Sequence, residues 1–201
     1  GEWLSAIEAI GPDLWQLLGG PLHKALADQG VKPGARLLWM PPGALGLLPI
    51  GLAQEAATGR HLSDIYEMVN VPSLEALGAA ARQVGAPSRK SLAAIINPTG
   101  DLPFTETEGA LVAGHFSASA QIKLDKSAAT PDSVLQALRG RSYWHFSSHG
   151  TFCWKDARQS GLIMANTKTI EHCGVSLLGA PLTVGRLLDG EGGLGRPRLV
   201  V

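Results

Sequence analysis

The sequence has 201 residues, of which 45% are hydrophobic and 17% are charged, and it therefore predicts one sizeable hydrophobic core rather than two small ones. Seventeen basic residues balance seventeen acidic ones and none of them cluster in runs, which argues against a nucleic-acid stripe and against a polybasic membrane patch. The expected partner is a small molecule or another protein.

Membrane insertion, secretion and a disulfide framework are not expected. The longest apolar run, ALGLLPIGLAQEAA, is broken by Pro49 and is too short to span a bilayer, and the N-terminus lacks a basic region followed by an apolar one. Cys153 and Cys173 form no CxxC pair, which argues against a disulfide framework or a zinc knuckle and fits a reducing compartment. We therefore expect a cytoplasmic protein.

The first predicted element is an amphipathic helix from Pro12 to Gln29. Apolar residues recur there at intervals of three and four, Pro12 is suited to begin a helix, and Gly30 is suited to end one. The Gly-Gly-Pro sequence at 19–21 could split this helix.

Strands and helices alternate through the rest of the chain. The predicted strands are, in order, ARLLWM, IYEMVNV, LAAIIN, QIKL, SYWHFSS, GLIMA and PRLVV. Helices are predicted after the N-caps Ser73 and Thr130, around TVGRLLDG, and in TETEGALVAGHF, where Thr105 and Glu108 are spaced as a capping box. This alternation predicts an α/β fold with a mainly parallel sheet and helices on both faces.

In such a sheet, reacting groups gather beyond the carboxyl ends of the strands. His149 and Gly150 lie at the carboxyl end of SYWHFSS. A neutral imidazole can take a proton near pH 7, and the glycine amide can turn toward a developing oxyanion, although a histidine at a strand end can also be a simple polar cap. His145, in mid-strand, is predicted to be buried with its ring nitrogens hydrogen-bonded.

Cysteine and metal chemistry offer alternatives. Cys153 is the cysteine nearest to His149 in sequence, but a sharp fold-back would be needed to bring the two together, which favours a half-buried loop thiol. A metal site could combine His145, His149 and Cys153, whose spacing suits a helix rather than a strand and a loop, or it could use His172 with Cys173. We predict no metal site and no cofactor.

The stretch YWHFSSHGTF, followed by SGLIMA, LTVGRLL and RPRLVV, resembles the CHAT family of caspase-like peptidases, which are often fused to tetratricopeptide repeats. The upstream stretches LLWMPPGALGLLPIGLA and AAIINPTGDLPFTETEGALVAGHF extend the resemblance. It implies a caspase-like three-layer α/β sandwich. The chain would then consist of an N-terminal helical segment, 1–34, and a CHAT domain, 35–201, that is incomplete at its C-terminus.

The resemblance also implies a cysteine endopeptidase with a His-Cys dyad. His149 matches the catalytic histidine of the family, and Gly150 matches the glycine whose amide helps to form the oxyanion hole. Caspase-type signatures place the histidine about 50 residues before the cysteine, so the nucleophile is expected beyond Val201 and this fragment alone is expected to be inactive. The implied partners are a protein or peptide substrate and either a tetratricopeptide-repeat region or the remaining C-terminal part of the same protein. The charge balance and the short apolar runs predict neither a nucleic acid nor a membrane as a partner.

Two other functions stay open. A noncatalytic interaction or regulatory module could keep the same fold, and it would be favoured if the cysteine were missing from the expected place. A hydrolase that uses Cys153 would be supported by a sulfur within hydrogen-bond reach of His149. The peptidase hypothesis also makes a structural prediction: the strand that carries His149 must lie beside the terminal RLVV strand and parallel to it.

Overall fold

The computed structural model of the protein describes residues 2–84, 89–190, 194 and 197–201, so Arg196, the first residue of RPRLVV, lies outside the described part. The chain divides into two compact units, Gly1–Val84 and Gly85–Val201. Among the described residues, none of the helices combines the length and the hydropathy that crossing a bilayer requires. The assignment of 1–34 and 35–201 to separate parts stays a prediction.

A long helical stretch opens the first unit. It consists of α1 (Glu2–Leu14), a π-helical turn (Trp15–Gly19) and α2 (Gly20–Asp28). The prediction that the helix begins at Pro12 is wrong, because Pro12 lies inside α1. The Gly-Gly-Pro sequence does not split the helix either: Gly19 is buried, and a Cβ atom there would lie 2.7 Å from the Cβ atom of Ala53, so glycine permits this close contact. Gly30, with φ +78°, follows the helix as expected.

The rest of the first unit is a small α/β arrangement. Strands β1 (Arg36–Trp39) and β2 (Glu67–Asn70) pair in parallel, with α3 (Leu62–Ile65) before β2 and α4 (Leu74–Gln83) after it. The Oγ atom of Ser73 accepts a hydrogen bond from the N–H of Ala76 at 3.0 Å, which confirms the predicted cap. The core of this unit consists of Leu14, Ile50, Ala53, Leu62, Ile65 and Tyr66.

The second unit contains the predicted parallel sheet. Its elements in chain order are β3 (Leu92–Ile96), α5 (Thr105–Ala113), β4 (Gln121–Asp125), α6 (Pro131–Leu138), β5 (Tyr143–Ser147), β6 (Gly150–Thr151), β7 (Gly161–His172), β8 (Val175–Thr183), α7 (Val184–Leu188) and β9 (Leu199–Val200). Four strands form a parallel sheet in the order β4-β3-β5-β9. The strand before His149 therefore lies beside the terminal strand and parallel to it, which confirms the prediction.

Both faces of this sheet are covered. One face of β3 packs against α5, in a cluster of Leu92, Ala94, Ile96 and Ala113. The other face packs against α6 and the β7–β8 pair, in a cluster that includes Ala93, Ile95, Val134, Leu138, Met164 and Leu182. Because all five residues of β3 are buried, this strand is the centre of a three-layer α/β sandwich, as the sequence predicts.

The start of α5 differs from the prediction. Thr105 is the first helical residue rather than the N-cap, which is Phe104 in a left-handed conformation with φ +68°. The hydroxyl of Thr105 donates to the carbonyl of Leu102 at 3.0 Å, and the carboxylate of Glu108 accepts from Ser147 on β5. The capping box is therefore wrong, because tertiary contacts engage both side chains.

A long β-hairpin replaces the short predicted strand GLIMA. Strand β7 is twelve residues long and pairs in antiparallel fashion with β8 on one side and with β6 on the other. The hairpin turns at Cys173 and Gly174, whose φ values are +53° and +80°. The outer part of β7 is polar and mostly exposed, so it lacks the hydrophobic alternation that predicts a strand from sequence.

Candidate active site

The candidate site lies at the carboxyl edge of the parallel sheet. His149 follows β5 by two residues, and its Nε2 atom lies 3.0 and 3.1 Å from the two carboxylate oxygens of Asp101. Asp101 belongs to the loop that follows β3, the neighbour of β5. The parallel pairing of the two strands brings these loops to one edge, where both side chains remain accessible, with 44% of His149 and 62% of Asp101 exposed.

Asp101 is held in its ionised form. The hydroxyl of Thr99 donates to one oxygen of the Asp101 carboxylate, and the His149 ring hydrogen-bonds to both oxygens. The Thr99 hydrogen bond, followed by that of His149, lowers the pKa of Asp101 below its ordinary value of 3.8. A carboxylate at this position favours the tautomer of His149 with its proton on Nε2, so that Nδ1 is the nitrogen able to accept a proton.

Asp101 is the site residue that the sequence analysis missed. The sequence predicts its partner, His149, because His149 follows a predicted strand. Asp101 also follows a predicted strand, LAAIIN, after the turn residues at 97–100. The Asn-Pro sequence that ends LAAIIN is typical of an ordinary turn, so the local pattern gives no sign of the carboxylate that follows it.

The direction of the Gly150 N–H follows from the position of Gly150 in the β6–β7 ladder. Gly150 pairs with Leu162, and the N–H of Ile163 donates to the carbonyl of His149 at 2.8 Å. This pattern makes Gly150 and Leu162 a non-hydrogen-bonded pair of the antiparallel ladder. The N–H of Gly150 therefore points away from β7, on the outer side of β6, where it can serve as a donor.

Among the residues that the structure describes, none requires glycine at position 150. Its φ is not in the left-handed region, and a Cβ atom would meet only ordinary contacts, 3.8 Å from the carbonyl of Gly161 and 3.9 Å from the Cδ2 atom of Leu162. Gly161 is different, because a Cβ atom there would lie 2.4 Å from the carbonyl of Leu182. A bulge, a tight bend or the close approach of another molecule to the backbone are the usual reasons for a glycine within a strand.

An apolar groove adjoins Gly150. It has a volume of about 440 Å³, and its lining includes Phe152, Leu162, Leu182, Val184 and Leu187. Phe152 is half-exposed and forms an edge-to-face pair with exposed Trp154, with ring centroids 4.8 Å apart.

Close to the site, the Oγ atom of Ser148 is buried and has no hydrogen-bond partner among the described residues.

The predicted burial of His145 is confirmed, and of its two ring nitrogens Nε2 has a hydrogen bond among the described residues. It is buried, and its Nε2 atom lies 3.0 Å from the Oγ atom of Ser147, which in turn donates to the carboxylate of Glu108 at 2.6 Å. The second carboxylate oxygen of Glu108 lies 3.8 Å from His145. This chain of polar contacts links α5 to β5 and gives the Nε2 atom of the buried ring a hydrogen-bond partner.

The two cysteines contradict the prediction of a chain without disulfides. Cys153 is buried, and its sulfur is bonded to that of Cys173, with the Cα atoms 5.1 Å apart. The β7–β8 turn brings Cys173 back to the loop after β6, a return that residue spacing alone does not reveal. The Sγ atom of Cys153 also lies 3.9 Å from the Nε2 atom of His172. The hydrogen bonds of the described residues join His149 to Asp101 and not to Cys153, so they give no support to a hydrolase that uses Cys153.

The structure brings together one of the two groups of metal ligands that the sequence suggests, and it does not bring together the other. Among the described residues, His145, His149 and Cys153 do not form a group of potential metal ligands. The group that does form consists of Cys153, His172 and Cys173, whose donor atoms all lie within 4.8 Å of one another.

The fold and the site define a class of protein: a three-layer α/β sandwich with a His-Gly pair beyond an inner strand of its parallel sheet. The CHAT domain family matches residues 8–200, so the chain belongs to the CHAT-domain family. This match confirms the resemblance carried by the sequence motifs, and it begins upstream of residue 35. No curated protein and no solved structure matches the chain.

Proposed function

We propose that this CHAT domain is part of a caspase-like cysteine endopeptidase in which His149 exchanges protons with a cysteine that follows β9. The observation that carries the proposal is the parallel pairing of β5 with β9. Tyr143 pairs with Leu199 and Trp144 with Val200, so partners differ by 56 in residue number, and the N–H of Phe146 donates to the carbonyl of Val201 at 2.8 Å. Continued pairing would bring position 205 level with His149, and we assign the nucleophile to that neighbourhood.

The side chains at this edge suit acyl transfer. The cysteine thiol gives its proton to the Nδ1 atom of His149, and the thiolate attacks the carbonyl carbon of the peptide. The resulting oxyanion accepts a hydrogen bond from the N–H of Gly150. The imidazolium then protonates the leaving amine as the C–N bond breaks, which leaves a thioester. Water, deprotonated by His149, hydrolyses the thioester to a carboxylic acid and restores the thiol.

Asp101 has a positioning role in this scheme. Its carboxylate accepts the Nε2 proton of His149, which holds the ring with Nδ1 free to act and stabilises the imidazolium that forms during turnover. Both groups are accessible to solvent, so the contact is weaker than that of a buried pair.

The substrate is proposed to be an extended peptide with an apolar side chain. The outer side of β6 offers the N–H of Gly150 to a peptide carbonyl, and the groove lined by Phe152, Leu162 and Leu187 can accept an apolar side chain beside it. We also propose that the part of the protein after Val201 completes this cleft.

The test uses the protein in a form that extends past Val201, incubated with a library of quenched fluorescent peptides. The wild-type protein should cleave peptides with apolar side chains near the scissile bond, and His149→Ala should lose this activity while it melts at an unchanged temperature. If no cysteine is encoded near position 205, or if the His149 variant cleaves as fast as the wild type, the peptidase proposal fails. A noncatalytic interaction module would then be the better account.

A further inference from the structure

We propose that Cys153, His172 and Cys173 form a binding site for a thiophilic divalent cation, Zn²⁺ in particular, once the disulfide between the cysteines is reduced. The three donor atoms lie within 4.8 Å of one another. This group contains neither His149 nor Asp101, the two residues of the candidate active site. It also departs from the prediction, made from the sequence, that no metal would bind.

The distance between the Cys153 sulfur and the His172 ring is close to the one that tetrahedral coordination requires. With Zn–S of about 2.3 Å and Zn–N of about 2.0 Å, neighbouring sulfur and nitrogen ligands lie about 3.5 Å apart. The Sγ atom of Cys153 lies 3.9 Å from the Nε2 atom of His172. Two sulfurs on one Zn²⁺ lie about 3.8 Å apart, so they must separate after reduction. Cys173 is exposed, so its side chain has room to rotate.

A fourth donor is already in place. The backbone carbonyl of Gln159 lies 2.8 Å from the Nε2 atom of His172 and 3.9 Å from the Sγ atom of Cys173. It can complete a Cys₂His site directly, or a water molecule can take this position. In the metal-bound form the Nε2 atom is deprotonated and binds the cation in place of its hydrogen bond to the carbonyl.

The backbone around Cys173 supports a role for its sulfur. Cys173 adopts a left-handed conformation, with φ +53°, in a turn position where asparagine or glycine is usually found. A non-glycine residue in this conformation is uncommon, and it persists when its surroundings hold it there. On the other side, Cys153 is buried and its N–H donates to the Oγ atom of Ser160 at 2.9 Å. The disulfide thus joins the β7–β8 turn to the loop that follows β6.

The disulfide and the metal-bound form exclude each other. A dithiol reductant transfers two electrons and two protons to the S–S bond, which breaks to give two thiols, while the reductant becomes a disulfide. Binding of Zn²⁺ then releases the two thiol protons, and the two thiolates neutralise the charge of the cation. The metal site therefore forms under reducing conditions only.

Cobalt titration tests the site directly. The protein is reduced with dithiothreitol, freed of it without oxygen, and checked for two free thiols before Co²⁺ is added. We expect one Co²⁺ per chain, with the visible bands of tetrahedral cobalt and a sulfur-to-cobalt charge-transfer band, and displacement by Zn²⁺. Cys173→Ser should weaken the charge-transfer band and His172→Gln should weaken binding. His115→Gln, at an exposed histidine outside the cluster, and His149→Ala should leave the titration unchanged.

Three results would overturn the proposal: a disulfide that persists in dithiothreitol, two free thiols without tetrahedral cobalt bands, or spectra that are the same in wild type and Cys173→Ser. Circular dichroism of each variant shows that it is folded. Since the readout is the cobalt spectrum, it gives the same answer whether or not the protein cleaves peptides.

Discussion

The Nε2 atom of His149 lies 3.0 Å from the Oδ2 atom of Asp101, although 48 positions separate the two residues in sequence. The contact forms because β3 and β5 are parallel neighbours, so the loops that follow them begin at the same edge of the sheet. Because a carboxylate only accepts hydrogen bonds, the contact favours the tautomer of His149 that carries its proton on Nε2.

Replacement of this carboxylate should impair catalysis more than folding. In the longer protein, Asp101→Asn should lower kcat by about 10-fold or more with little change in KM, because the ring of His149 loses the group that orients it. Nitrogen NMR of the His149 ring should show the Nε2-protonated tautomer in the wild type and a mixture in the variant. Asp132→Asn, at the exposed start of α6, is the matched control. An unchanged kcat and an unchanged tautomer in Asp101→Asn would contradict the positioning role.

The ionisation of Asp101 can be measured by NMR titration of its carboxyl carbon. Its pKa should lie below 3.8, and Thr99→Val should raise it more than His149→Ala does, because the hydroxyl of Thr99 makes the largest contribution. A lowered pKa in the folded state means that Asp101 favours the fold above its ordinary pKa and loses this effect as the pH falls through the lowered value. A wild-type pKa at or above 3.8 would show that these hydrogen bonds are absent.

Alanine substitutions at two glycines of the same β-sheet, Gly161 and Gly150, should differ in their effect on stability. Gly161→Ala should lower the free energy of unfolding by about 1–3 kcal/mol, because the new Cβ atom would overlap the backbone at Leu182. Gly150→Ala meets only ordinary contacts and should melt like the wild type, yet it should slow peptide cleavage because its methyl group narrows the approach to the amide. Chemical denaturation and peptide turnover check both. Equal destabilisation of the two variants would contradict the packing assigned to them.

Alanine substitutions at His149 and His145 should have different effects, the first on peptide turnover and the second on stability. His149→Ala should reduce turnover in the longer protein by about 100-fold or more with nearly unchanged stability. His145→Ala should destabilise by about 1–3 kcal/mol, because it leaves a cavity and removes the partner of Ser147. Thermal melts and turnover are measured on both variants together. A His145 variant as stable as the wild type would contradict the role of the buried contact with Ser147.

Local sequence patterns predicted the layered fold well. Ser73 and Thr130 both cap helices as expected, and the terminal strand lies beside the strand before His149. These features depend on neighbouring residues or on the chirality and pairing rules of parallel sheets. The same patterns failed at Thr105, whose hydroxyl bonds to a carbonyl outside the helix, and at Pro12, which the long first helix includes.

Long-range contacts explain what the sequence did not predict. The disulfide depends on a hairpin whose outer residues are polar and whose turn carries Cys-Gly rather than the Asn-Gly typical of such turns. The Asp101–His149 contact depends on which strands are neighbours. Neither relationship is visible in the spacing of residues along the chain, although the strand-end rule indicates the second once the order of strands is known.

The most direct test of the account is the rate at which the cysteine proposed near position 205 is alkylated in a form of the protein that extends past Val201. In the longer protein, iodoacetamide should label this cysteine at neutral pH much faster than an ordinary surface thiol, because proton transfer to His149 supplies the thiolate. His149→Ala should slow the labelling to the rate of an ordinary thiol, as measured by mass spectrometry of the tryptic peptides. A cysteine that reacts at the same rate in the wild type and in the His149 variant would contradict the account.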